Sequence, residues 1–292
     1  MKPPPPDAGA RRQHAVVIPL FGPWESDFPA HLRALTQHGL VVILVDNNPL
    51  PIPAHAMPCR SEQIATIPNR NRGGIAGGLN AGIRLAYSMG ARWITLLDMD
   101  SRIAAVDVER LKEPLVQEPL ASLVIGPSIR DVGRKTTGDD ASDQLPPLEE
   151  TRVLISSGTT FRGSDWQKLG ALNEELFIDF VDHAWCFRAH ARGFRLLRNN
   201  HIVLEQRFGS EHPNRLCRLS GMQLYSPERH YFSLRNLRWL CLQPYAPLDI
   251  KLKESLKMLI KPWLWLAFEP NRRMNLRAIV KGLLAPLPNR YS

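Results

Sequence analysis

LVVILVDNN, residues 40–48, is an unbroken apolar and largely β-branched run that stops at an aspartate. A strand with one face in water alternates apolar and polar residues, whereas a strand covered on both faces does not. The run therefore predicts a central strand of a sheet with helices on both sides. HAVVIPL (14–20) and RWITLLDMD (92–100) read the same way, and EQIATI (62–67) is a weaker copy. Between them lie helical stretches. One runs from Asp27 to His38, with Phe28, Leu32 and Leu35 on one face and Gly39 as its stop. A second opens in the glycine-rich segment 71–82 and reaches Met89. A helix over 106–117 and a strand at ASLVIG (121–126) continue the pattern. Alternation of this kind predicts a mostly parallel, Rossmann-like α/β sheet. Ligands of such sheets bind at the carboxyl ends of the strands. Asp46, Asn47, Asp98 and Asp100 all fall at those ends.

Beyond residue 130 the alternation stops. DVGRKTTGDDASDQLPP reads as a polar, mobile loop and VLISSGTTF (153–161) as a strand. A helix is predicted over 180–192, followed by two short strands, FRLLRN and HIVLEQRF. This part has α+β character and would form the far wall of a cleft. From about Tyr225 the chain reads as helical and basic. The first 13 residues, rich in proline, read as a disordered leader.

The chain has 292 residues, 44% hydrophobic and 22% charged, with a formal net charge of +9. That composition is globular, and the charge suits phosphate-bearing ligands or an anionic membrane surface. No nucleic-acid motif accompanies it, so nucleic acid is not expected as a partner. Cys59, Cys186, Cys217 and Cys241 lack the spacing of a zinc site or a disulfide framework, which fits reduced thiols in a cytoplasmic protein. No stretch reaches the roughly 20 apolar residues of a spanning helix.

Three segments carry possible chemistry. In ITLLDMDSR (94–102), Asp98 and Asp100 leave a strand end two residues apart. Two such carboxylates can share a divalent cation, and equally Asp100 or Ser101 can cap the next helix. In NRGGIAGGLNAG (71–82), a glycine-rich helix start offers backbone N–H groups to a phosphate, or lets the helix pack closely on the sheet. In FIDFVDHAWCF (177–187), Asp182 either favours a helix N-terminus or acts as a general base. His183, His190 and His201 form no ligand pattern. The segment 251–284 mixes lysines and arginines with Trp263, Trp265 and Phe268. It fits an interfacial helix on an anionic leaflet or a helical pair packed on the protein.

Taken in order, VVILVDNN, NRGGIAGGLNAG, ITLLDMDS, the stretch 157–194 and YSPERHYFSLRN resemble the inverting glycosyltransferases of family 2, nearest the branch of rhamnosyltransferases for bacterial surface polysaccharides. The resemblance spans residues 14–240. It implies a GT-A fold with a nucleotide-sugar half at 14–130, an acceptor half at 131–240 and a basic helical extension at 241–292. It implies that Asp46 binds the nucleobase and that Asn71, Gly74 and Asn80 shape the ribose and diphosphate wall. Asp98 and Asp100 would be the DxD pair, Asp98 on the ribose side and Asp100 on a Mg or Mn ion, with Asp182 the catalytic base. Trp185, Arg235 and Asn236 would contact acceptor or diphosphate. The implied reaction moves a sugar, rhamnose from dTDP-rhamnose foremost, to a glycan or lipid-linked acceptor. This suits a cytoplasmic protein, or one peripheral to the inner face of the membrane. Other readings are transfer of a galactofuranosyl or hexosyl unit from a UDP donor, or a silent nucleotide-sugar-binding subunit. The chain departs from the branch at Ala184, where a second acid is usual, and at Gln206, where histidine is frequent. His212 is an alternative metal ligand.

Overall fold

A computed structural model describes residues 13–133, 145–207, 209–211 and 223–289. His212, the leader up to residue 12 and loop residues 134–144 lie outside that set. The chain opens with β1 (His14–Leu20), α1 (Phe28–Gln37), β2 (Val41–Asp46), β3 (Ile64–Pro68), α2 (Gly74–Ser88) and β4 (Trp93–Leu96). Short helices α3 (Ala105–Arg110) and α4 (Glu113–Gln117) lead to β5 (Leu123–Asp131). Then come β6 (Leu148–Glu150), β7 (Thr160–Arg162), α5 (Trp166–Leu169), α6 (Val181–Ala191) and β8 (Arg195–Gln206). Ser210–Glu211 and Gln223–Leu224 form a small antiparallel pair, β9 and β10. Three helices follow, α7 (Pro227–Cys241), α8 (Leu248–Phe268) and α9 (Arg272–Leu284).

Eight strands form one sheet in the order β3-β2-β1-β4-β7-β5-β8-β6. The pairs β3–β2, β2–β1, β1–β4 and β5–β8 are parallel; β7 and β6 run against their neighbours. Every residue of β1 and β2 is buried, as their unbroken apolar runs require. Alternate side chains enter opposite cores. Val17, Ile43 and Val45 meet Ala76, Leu79 and Ile83 of α2. Val16, Ile18, Val42 and Leu44 meet Phe28, Leu32 and Leu35 of α1, and Val108 and Leu115 of α3 and α4. The α2 core continues into Phe161, Trp185 and Phe187, so both halves of the chain share it.

Several elements differ from the sequence expectation. The helix over 106–117 is broken in two because Pro114 has no N–H and its ring crowds the carbonyl four residues back. The strand at 92–100 is assigned only over Trp93–Leu96; the Leu97 N–H still bonds to Val17 O at 2.9 Å, and Asp98 to Asp100 leave the ladder. The strand at 153–161 is reduced to Thr160–Arg162. Ser156, Ser157 and Gly158 turn instead, with Gly158 at φ +83° and serine hydroxyls bonded across the cleft floor. The two short strands expected after residue 193 are one 12-residue strand, β8. Its register against β5 shifts at Pro127/Ser128, where proline offers no donor.

Helix α2 lies against β1 so closely that a Cβ on Gly82 would fall 2.2 Å from Val17 Cγ1. Val17 is a fully buried strand residue and has nowhere to move. Gly82→Ala is expected to destabilise the protein by about 1–3 kcal/mol through overpacking, measured as a fall in the urea unfolding midpoint with unchanged m-value.

Candidate active site

At the carboxyl ends of β1, β2 and β4 the sheet opens into a cleft of about 720 Å³. Its floor and walls include Asn47, Asn71, Asp98, Asp100, Ser156, Asp179, Asp182, His183 and Gln206. Asp98, Asp100 and Asp182 thus border one space. Burial raises the Asp98 carboxyl to about 7, and the charges of Asp100 and Asp182 push in the same direction. Partial desolvation raises Asp100 as well. Burial also raises Asp182.

Two adjacent serines connect these groups. The Ser156 hydroxyl donates to Asp182 Oδ1 and opposes the upward shift of that carboxyl. The Ser157 hydroxyl donates to Ser101 Oγ at 2.7 Å and accepts from the Asp98 N–H at 3.1 Å. The turn that replaces the expected strand is therefore what links the Asp98–Asp100 segment to Asp182. From the other side Arg102 donates to the carbonyls of Met99 and Ser101, both at 3.0 Å, while its fork grips Asp27 at 2.7 and 2.8 Å.

Gln206 closes the Asp98 side. Its Nε2 donates to Asp98 Oδ2 at 2.8 Å. Its Oε1 is buried with no hydrogen-bond partner among the described residues. An unsatisfied amide oxygen beside two carboxylates that repel each other is an oxygen-rich setting suited to a hard divalent ion. The residues present fit such an ion, although among those described no three His, Cys, Asp or Glu side chains are placed to hold one ion together. Ala184, where the resemblance puts a second acid, is buried in the core behind Asp182.

Asp182 follows a contorted loop. Phe177 has φ 66° and ψ −62°, the strained hand of γ-turn, with Ile178 N–H donating to Leu176 O at 2.7 Å. Asp179 and Phe180 also have positive φ. Asn236 holds this loop: its Nδ2 lies 2.8, 2.7 and 3.0 Å from the carbonyls of Leu176, Ile178 and Asp179. Arg235 reaches the carbonyls of Glu175 and Leu176 and stacks over Phe232. Arg229 and Ser233 fix the Asp179 carboxylate.

The expected site residues therefore fall into groups. Asn71, Asp98, Asp100 and Asp182 line the cleft. Asp46 lines a neighbouring cavity of about 440 Å³ with Met57, Ile64 and Thr66. Its carboxylate accepts from Asn48 N, Asn48 Nδ2 and Ile52 N. Gly74 is where the Phe177 loop touches α2: a Cβ there would lie 2.3 Å from Phe177 O. The glycine-rich helix start thus serves close packing, and Ile75 N–H is bonded to Phe177 O at 3.0 Å. Asn80 is fully buried, exchanging bonds of 2.9 Å with the Leu172 backbone. Trp185 is a core residue whose indole donates to Gly170 O. Asn80, Trp185, Arg235 and Asn236 stand outside the cleft lining, their polar groups bonded to backbone carbonyls and, for Asn80 and Arg235, also to the side chains of Glu174 and Asn236. Ser156, Asp179 and Arg229 were missed by sequence reasoning. The paired serines before Gly158 were the signal for the first.

No family model matches the chain. It is 26% identical over 287 residues to dTDP-rhamnosyl transferase RfbF of Shigella flexneri, covering 93% of each protein. It also superposes on GalNAc-T7 with UDP, GalNAc and Mn2+, with a TM-score of 0.53, 12% identity and 88% of this chain covered. The chain spans 58% of that GalNAc-T7 chain. Residues 1–349 of S. aureus TarS in complex with UDP-GlcNAc match with a TM-score of 0.54 and 12% identity, over 93% of this chain and 81% of that one. Likeness to the solved structures gives the chain the GT-A fold, and over nearly its whole length its sequence is similar to that of a glycosyltransferase.

Proposed function

We propose that the chain is an inverting family 2 glycosyltransferase that moves rhamnose from dTDP-rhamnose to a hydroxyl of a cell-surface glycan. The observation that carries this reading is the single cleft in which Asp182, bonded to Ser156, faces the Asp98–Asp100 segment. The sugar and nucleotide come from the likeness to RfbF along nearly the whole chain. A UDP-sugar donor is the second reading, since both solved neighbours hold UDP or a UDP-sugar.

Asp46 borders the nucleobase cavity. Its Oδ1 accepts two bonds and its Oδ2 one, leaving capacity for a base N–H. Asn71 flanks the diphosphate side. Asp182 takes the proton of the acceptor hydroxyl as that oxygen attacks the anomeric carbon opposite the departing diphosphate. The C–O bond to the diphosphate breaks as the new one forms, so configuration inverts in one displacement and no enzyme nucleophile is required. The raised Asp182 carboxyl makes a better proton acceptor than an ordinary aspartate. Asp100, Asp98 and the Gln206 carbonyl would hold a divalent ion, which when bound supplies positive charge for the leaving diphosphate.

Asp182→Asn keeps an acceptor for the Ser156 hydroxyl and loses the base. Transfer should fall about 10²–10⁴-fold with donor affinity nearly unchanged, read by turnover and by calorimetry with dTDP-rhamnose. Undiminished turnover in the folded variant would remove Asp182 from the mechanism.

Ser156→Ala removes a bond that favours the charged carboxylate, so the Asp182 carboxyl rises further. The base must be ionised, so the acid limb of kcat/KM should move to higher pH. An unmoved limb would show that another group titrates.

Mn2+ or Mg2+ alone should raise the melting temperature, with about 2.7 kcal/mol of stabilisation at a hundredfold excess over Kd. Asp100→Asn should abolish that rise. An equal rise in both proteins would place the ion elsewhere.

A further inference from the structure

Helix α8 turns one face inward. Met258, Trp265 and Leu266 pack with Leu234 and Ile279 of α7 and α9. Its other face carries Leu248, Leu252, Leu256, Leu259, Ile260 and Trp263, all 55% exposed or more. Their three- and four-residue spacing puts them on one stripe. Leaving six large apolar side chains in water on one stripe is unfavourable unless something covers it.

The surrounding charge indicates what does. Residues 248–284 hold eight Lys or Arg against three Asp or Glu. All three acids are already paired: Asp249 with Arg152, Glu254 with Lys257 and Glu269 with His230. A second copy docked through this face by two-fold symmetry would bring its own cationic edges against these. An anionic bilayer instead accepts the apolar stripe between its acyl chains and the lysines among its headgroups. No helix of the described residues is long and apolar enough to cross a membrane, so the geometry is that of a helix lying in the interface. Glu254 also acts electrostatically on His183 in the cleft wall, so α8 runs near the cleft.

We infer that the exposed face of α8 seats this protein on an anionic lipid bilayer, with the cleft opening beside the membrane plane. The inference rests on α8 alone and is independent of the sugar transferred. The test is co-sedimentation of the full chain with phosphatidylcholine vesicles, with and without phosphatidylglycerol. Binding is expected only with phosphatidylglycerol, and should fall steeply in 1 M salt, where the Debye length is about 3 Å. Lys253→Gln and Lys257→Gln should each lower partitioning roughly fivefold. Leu256→Ser with Trp263→Ser should lower it at least about tenfold. These side chains are exposed, so circular dichroism and melting temperature should not change. Three results would overturn the inference: no binding of wild type to phosphatidylglycerol vesicles at low salt, equal binding by the Leu256/Trp263 variant, or a wild-type dimer in sedimentation that this variant dissociates.

Discussion

The backbone between Leu176 and Val181 is held in conformations its own residues disfavour, and the cleft depends on it. Phe177, Asp179 and Phe180 all have positive φ without being glycine. Each such residue costs of order 1–3 kcal/mol. The loop persists because its surroundings over-determine it. The Asn236 amide bridges three carbonyls, Gly74 lacks the Cβ that would collide with Phe177 O, and the Ile75 N–H in the first turn of α2 bonds to the same carbonyl. The result is that Asp182 begins α6 facing the strand ends, rather than pointing along the sheet surface. A relaxed loop of the same length would begin α6 in another direction.

Much of this was legible in the sequence, for local reasons. Unbroken apolar runs fixed β1, β2 and β4 as strands buried on both faces, and strand ends are where their carboxylates emerge. What was hidden depends on partners far away in the chain. Asn80 meets Leu172, and Asn236 meets Leu176, across 92 and 60 residues. Both asparagines are matched to backbone groups that periodicity does not reveal. VLISSGTTF looked like a strand because β-branched residues flank its serines. The hydroxyls of Ser156 and Ser157 instead satisfy groups on either side of the cleft. Local pattern identified the chemistry-bearing carboxylates; long-range hydrogen bonding decided which other polar residues serve as scaffold.

The two departures from the resembled branch have different weight. Ala184 fits into the apolar packing behind Asp182, where a carboxylate would need its own partner. Gln206 changes the cleft itself. A neutral amide donates to Asp98 and partly offsets the crowding of negative charge, as a protonated histidine would do more strongly. Its amide has no titration near neutral pH, so this contact stays constant where an imidazole would switch.

The two rims of the sheet bear on how the molecule behaves in company. The outer strand β6 is only three residues long and carries Glu149 and Glu150; at the opposite rim β3 ends in Pro68. A short acidic edge and a proline-terminated one both make poor templates for another chain to add to. Any surface that concentrates this protein brings such rims together at high local density. Here they are built so that crowding does not become fibrillation.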